Sequence, residues 1–138
     1  MSSRFLLDTC FVIWMSQNED LAPTALESLA ESKAQKIPVF VSSVTAWEMG
    51  MLLSKGRIRE TRDAEQWYRD YLRDGGFVEH PVTSTIFVAA CFLPQPIHKD
   101  PIDRILIATA RENDLTIITR DRAILSYGAA GHVRTLAC

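Results

Sequence analysis

The sequence predicts a three-layer α/β/α sandwich around a central parallel sheet, and three observations carry that prediction. Short runs at residues 4–7, 39–41 and 115–119 are near-continuously apolar rather than alternating, as expected of strands covered on both faces. Longer segments with helical spacing of apolar residues lie between them. The runs are also too far apart for hairpins, so right-handed β-α-β crossovers are the economical connection.

The elements follow in order. Residues 4–7 form the first strand and run on into apolar sequence as far as Met15. Residues 23–36 form a helix that opens near Pro23 and carries apolar residues at Ala25, Leu26, Leu29 and Ala30. Residues 39–41 are the second strand. Ser42-Ser43 then supplies an N-cap for a helix over 44–53. Residues 61–72 are amphipathic and charged, with Trp67 and Tyr71 one turn apart. The third strand is 77–81. Thr83 or Ser84 caps a helix reaching residue 92. Asp100 caps the next helix, over 100–113, with Pro101 at its first position. The fourth strand is 115–119, and a fifth is expected at 132–136. Punctuation is confined to short Gly and Pro turns, with no repeat and no linker.

The 138 residues suit one domain spanning 1–138. With 47% hydrophobic and 23% charged residues the chain is globular rather than disordered. Fifteen Lys and Arg against 17 Asp and Glu leave a net charge of -2. Bulk electrostatic attraction to nucleic acid or an anionic membrane is therefore excluded as the main binding principle, though a local basic patch is not. The cysteines, Cys10, Cys91 and Cys138, are odd in number and form no CxxC pair, which argues against a disulfide scaffold or thiolate zinc site and fits a reducing cytoplasm. The longest apolar run, 86–93, is far short of the roughly 18 residues of a membrane span. Arg4 followed by apolar sequence resembles a signal peptide, but Asp8 and Thr9 interrupt it, so it reads as structure.

In a parallel sheet the carboxyl ends of the strands share one edge, where ligands bind. The first strand ends in Asp8 and the fourth leads to Asp121. Glu48 lies about one and a half turns into the helix after the second strand, and Asp103 one turn into the helix capped by Asp100. Helix N-termini emerge at that same edge, so four carboxylates from distant parts of the chain converge there. Such a cluster requires protonation or a cation. Oxygen donors without Cys or paired His select a hard ion, Mg²⁺ or Mn²⁺, whose chemistry is that of phosphodiester hydrolysis.

Each acid also has a local explanation. Asp8 could cap a following helix, Asp121 could open a turn or helix before Ala123, and Asp103 sits where a carboxylate favours the helix dipole. Asp100 is fully explained as a cap. Glu48, a charge in a largely apolar helix, needs a partner. His80 and His98 read as loop residues, Cys10 as a packed thiol rather than a nucleophile, and Trp14, Trp47 and Trp67 as core or interface. The Lys55 to Arg59 turn with Arg62 is the densest basic stretch. Arg104, Arg120 and Arg122 flank the acids and are better placed for phosphate contacts.

Four ordered motifs carry a resemblance that covers nearly the whole chain. Leu6-Leu7-Asp8-Thr9, Val41-Ser42-Ser43 leading to Trp47-Glu48, His98-Lys99-Asp100-Pro101-Ile102-Asp103-Arg104 followed by Ile107-Ala108, and Thr119-Arg120-Asp121-Arg122 resemble those of PIN-domain ribonucleases, in particular VapC-type toxins of type II toxin–antitoxin systems. The resemblance implies an α/β/α sandwich that dimerises and cleaves RNA endonucleolytically with Mg²⁺ or Mn²⁺, neutralised by a VapB-like antitoxin over the active-site groove. It makes Asp8, Glu48, Asp103 and Asp121 the acidic site, with Asp8 and Asp103 the principal metal ligands. Thr9, Thr119 and, more weakly, Ser42 become neighbouring hydroxyls, and Trp14 or Met15 exposed candidates for the antitoxin surface. Two departures stand out. Cys10 replaces a usual His or Asn, and Gly50 interrupts the Glu48 helix, where it would admit close packing of another backbone. The rival readings are a catalytically silent PIN-like module binding RNA or protein, and a phosphoacceptor domain, which lacks the expected Lys after its late strand.

Overall fold

A computed structural model describes residues 3–16, 20–96 and 99–138. Among them are five strands and seven helices, in the order β1 (Phe5–Leu7), α1 (Thr9–Ser16), α2 (Pro23–Ala34), β2 (Val39–Ser42), α3 (Ser43–Ser54), α4 (Ala64–Gly75), β3 (Val78–His80), α5 (Ser84–Cys91), α6 (Pro101–Asn113), β4 (Thr116–Thr119), α7 (Arg122–Ala129) and β5 (Arg134–Ala137). The sheet order is β3-β2-β1-β4-β5 and every pairing is parallel. The predicted three-layer α/β/α architecture is the one observed.

Alternate strand residues feed opposite layers, as a period of two demands. Leu6 and Ile117 join one core with Ile86, Ile102, Leu106 and Ile124 from α5, α6 and α7. Leu7, Val41 and Ile118 join a second core with Phe11, Leu29, Trp67 and Tyr71 from α1, α2 and α4. Each fully buried aliphatic side chain contributes roughly 1.5–3 kcal/mol, so β1 and its neighbour β4 are the best-secured part of the fold. They are also the strands whose carboxyl ends carry Asp8 and the Asp121 turn.

Local chemistry sets the helix ends. The side chains of Ser42, Asp63, Thr83, Asp100 and Asp121 accept backbone N–H bonds as N-caps. α4 stops at Gly76, whose φ of 68° lies in the left-handed region where a Cβ is disfavoured.

One helix departs from the sequence reading, and another meets it. α1 begins one residue after Asp8, within what read as one apolar stretch. Its sequence, Thr9-Cys10-Phe11-Val12-Ile13-Trp14-Met15-Ser16, has little helix propensity, and burial of Phe11 and Val12 decides its form. α7 is a full helix opened by Asp121. Gly50 admits no close backbone: a Cβ there would meet only the Ala64 Cβ, at 3.9 Å.

Candidate active site

The rim at the carboxyl ends of β1, β2 and β4 is built first by Asp8. Its backbone N–H bonds the Ile118 carbonyl of β4 at 3.0 Å, an extension of the sheet that holds the residue as the strand turns into α1. The side chain is 3% exposed. Oδ2 accepts from the Thr119 hydroxyl at 2.6 Å, and Oδ1 faces the Cys10 N–H at 3.5 Å. The Thr119 oxygen in turn accepts from the Asp121 N–H at 3.0 Å. One buried hydroxyl at the end of β4 thus ties Asp8 to the start of α7, where Asp121 Oδ1 caps the helix through the Ile124 N–H at 3.0 Å.

Glu48 arrives from α3, half-buried. The neighbouring Thr9 hydroxyl opposes the rise of its carboxyl, and Thr9 meets Thr45 of α3 hydroxyl to hydroxyl at 2.9 Å. Asp103 stands one turn into α6, whose cap Asp100 binds the Ile102 and Asp103 N–H groups at 2.9 and 3.1 Å.

Electrostatics joins these residues into one site. Asp103 is pushed up to about 8, first by burial, then by the fields of Asp8, Asp100, Asp121 and Glu48. Burial raises Asp8 despite the Thr119 bond, with Asp121 adding to the rise. Glu48 rises through burial and through Asp8 and Asp100, opposed by Thr9. Cys10 senses all four acids at once: partial burial of its sulfur, then Asp8, Glu48, Asp103 and Asp121, push its thiol up to about 12. It is exposed rather than packed, because the first turn of α1 presents it at the rim, and it stays protonated there.

The donor set is one for a hard cation: carboxylates with hydroxyl neighbours in a field of excess negative charge. Among the described residues no three His, Cys, Asp or Glu side chains form a ready-made metal cage. The carboxylates present are of the kind that hold a hard ion such as Mg²⁺ through one or two oxygen ligands.

The remaining expected residues divide. Ser42 is fully buried and its hydroxyl accepts the Val44 N–H at 3.1 Å, so its visible task is capping α3. Arg104 Nε donates to the Ala90 carbonyl at 3.0 Å. Arg120 lies over the Trp14 ring at 4.1 Å and donates to the Asp20 and Cys138 carbonyls, which binds α1 and the end of β5 to the rim. Arg122 is exposed at the start of α7. Arg62 is engaged by Glu60 and Asp70. Trp14 and Met15 are half-buried rather than exposed, Trp14 under Arg120 and Met15 accepting the Tyr71 hydroxyl at 3.3 Å. Trp67 is core at 1% exposure, whereas Trp47 is exposed. His80 packs edge-on against Phe40, and His98 lies outside the described residues. Thr45 is the site neighbour that sequence reasoning missed. Its position three residues before Glu48 on one helix face was the available signal.

A parallel sheet with acids from four separate segments at its carboxyl edge defines the class, and the family model agrees: the chain belongs to the PIN domain family, matched over residues 5–129. It is 25% identical over 125 residues to ribonuclease VapC22 of Mycobacterium tuberculosis, an alignment covering 88% of this chain and 90% of that one. Its fold is similar to a chain of the VapBC2 complex from Rickettsia felis bound to a promoter DNA fragment, with a TM-score of 0.72, 11% identity and 98% of each chain covered. It is likewise similar to a chain of DNA-bound VapBC from Salmonella typhimurium, with a TM-score of 0.68, 13% identity and 98% of each chain covered.

Proposed function

We propose that this chain is a Mg²⁺- or Mn²⁺-dependent endoribonuclease and the toxin of a toxin–antitoxin pair. The observation that carries the reading is the convergence of Asp8, Glu48, Asp103 and Asp121 on one rim, felt together at Cys10 and at Asp103. The ribonuclease relative and the similarity to VapBC chains support it. Asp8 and Asp103 would hold the ion, with Glu48 and Asp121 completing the site directly or through water. When bound, the ion supplies the positive field that orients a phosphate and acidifies a water. Thr119 orients Asp8 and opposes the rise of its carboxyl, and Thr9 opposes the rise of Glu48. With Arg104 and Arg120 each donating to backbone carbonyls, Arg122 is the flanking cation best placed for substrate phosphate.

The antitoxin, a VapB-like partner, would cover the active-site groove at the carboxyl edge of the sheet. A homodimer would bury the exposed Phe87, Val88 and Phe92 of the α5 region. Among the described residues no helix is long and apolar enough to cross a membrane, and we place the protein in the cytoplasm.

The test is cleavage of a mixed RNA pool with Mg²⁺ or Mn²⁺, with EDTA, and by Asp8→Asn. The reading expects cutting that chelation abolishes and the variant lacks; cutting indifferent to both would reject it. The rival reading is a silent PIN-like module that binds RNA or protein. RNA binding without cutting in either metal would select it.

A further inference from the structure

The cations at the far end of α3 hold nothing in the fold. Lys55 closes the helix, Gly56 with a φ of 67° turns the chain, and Arg57 and Arg59 follow, all with exposed side chains. Among the described residues Lys55, Arg57 and Arg59 form no ion pair and no side-chain hydrogen bond. Every other arginine among them except Arg122 bonds a carboxylate or a backbone carbonyl. The neighbouring acid, Glu60, is taken up by Arg62. The turn therefore presents uncompensated positive charge on a chain whose net charge is -2.

The helix links this turn to the rim. Glu48, Leu52 and Lys55 fall at i, i+4 and i+7 on one face of α3, so Lys55 stands two turns from Glu48, about 10 Å along the axis. That is the span of about three stacked nucleotides at roughly 3.4 Å each. At the rim end Trp47, the residue before Glu48, is 59% exposed. We propose that α3 carries a track for single-stranded RNA next to the cut: Trp47 stacks a base beside the rim, and Lys55, Arg57 and Arg59 hold backbone phosphates at the far end of the helix.

Fold stability does not account for these residues. A cation in the last turn complements the helix dipole, which explains Lys55, but that effect dies within the turn and does not reach Arg57 or Arg59. Trp47 leaves most of its ring in water, unlike Trp67 in the core. An exposed aromatic face and a row of free cations are what a single strand takes, because any base stacks and any phosphate is attracted. The acids at the rim repel the same RNA, and a positive hold two turns away offsets that repulsion. The inference rests on the ribonuclease reading of the rim.

The test uses the full chain and a fluorescently labelled, unstructured RNA of about 12 nucleotides. Anisotropy in EDTA across a salt series gives Kd and its salt dependence, and Mn²⁺-dependent cleavage of the same RNA gives kcat and KM. The K55Q/R57Q/R59Q variant is expected to lose about 2 from the slope of log Kd against log salt, at roughly 0.7 per phosphate on a single strand. Its KM should rise about tenfold with kcat little changed, since the lost contacts lie away from the bond that breaks. W47A should weaken binding at least about fivefold and leave the salt slope alone, while W47F keeps most of the affinity, because stacking needs a ring and not a charge. K33Q/K36Q removes cations at the end of α2, on the opposite edge of the sheet, and should leave slope and KM near wild type. If the triple variant does not fold, the single variants replace it, each losing about 0.7 from the slope. Wild-type slope and KM in the triple variant, a K33Q/K36Q loss as large as its own, or W47A binding as tightly as wild type would each overturn the proposal. Wild-type protein that binds this RNA through the track yet cuts none would reject the ribonuclease reading and keep the track. A triple variant that binds and cuts as the wild type does would reject the track and keep the ribonuclease reading.

Discussion

Two groups of acids lie in this molecule under opposite regimes. Around α4, Asp70 accepts from Arg62 Nη1 at 3.0 Å and Gln66 Nε2 at 2.6 Å, with Arg73 at 3.2 Å, while Glu60 accepts from Arg62 Nε at 2.7 Å. The Arg62 guanidinium holds both carboxyls below their ordinary values. At the rim, Asp8, Glu48 and Asp103 are pushed above theirs by burial and by one another. Acids that serve the fold come with their cation; those at the rim are gathered against their own repulsion, the pattern of a site built for something other than stability.

The largest effect separates the two groups by function. Asp8→Asn or Asp103→Asn should lower RNA cleavage at least about hundredfold, the loss expected when a metal's anchoring charge is removed. Each should also raise the melting temperature of the metal-free protein at pH 8, because a repelled charge is gone. Asp70→Asn should do the reverse, leaving cleavage intact and lowering the melting temperature. Melting curves beside an RNA gel read both. A rim variant that loses stability as Asp70→Asn does would erase the distinction.

A smaller effect comes from pH. A carboxyl raised in the folded state adds stability while protonated, and that stability is lost as pH climbs through the raised value. Metal-free protein should therefore melt at higher temperature as pH is lowered through about 8, where Asp103 takes up its proton. Asp70 and Glu60 have the opposite sign: their contribution is present above the ordinary carboxyl range, near 4, and fades below it. Melting temperature against pH should rise, then fall, on acidification, and Asp103→Asn should flatten the alkaline limb alone. An unchanged alkaline limb in that variant would remove Asp103 from the account.

The smallest effect lies outside both groups. Gly50→Ala should stabilise α3 by about 0.5–1 kcal/mol, since the new Cβ meets only Ala64 at 3.9 Å. A loss of stability, read by urea denaturation, would show that the glycine carries strain the backbone does not reveal.

Much of the fold was legible because its signals are local. Near-continuous apolar runs marked β1, β2 and β4, and Asp100-Pro101 marked the start of α6. The acids were legible because a parallel sheet puts strand ends and helix starts on one edge, so Asp8 and Asp121 could be placed together from opposite ends of the chain. What stayed hidden depends on packing between distant segments. α1 is helical because Phe11 and Val12 are buried, a tertiary decision that its weak propensity does not announce. Arg120 flanks Asp121 in sequence yet is drawn onto Trp14 and the Cys138 carbonyl. Thr45 gains its meaning only when α3 crosses α1.

The most direct measurement is the melting temperature of wild-type, Asp8→Asn and Asp103→Asn proteins at pH 7.5, with and without saturating Mn²⁺. If the rim awaits a divalent ion, Mn²⁺ should stabilise the wild type, by about 2.7 kcal/mol at a hundredfold excess over Kd, and both variants should lose most of that gain. A wild type indifferent to Mn²⁺, or variants that gain as much as it does, would contradict the account.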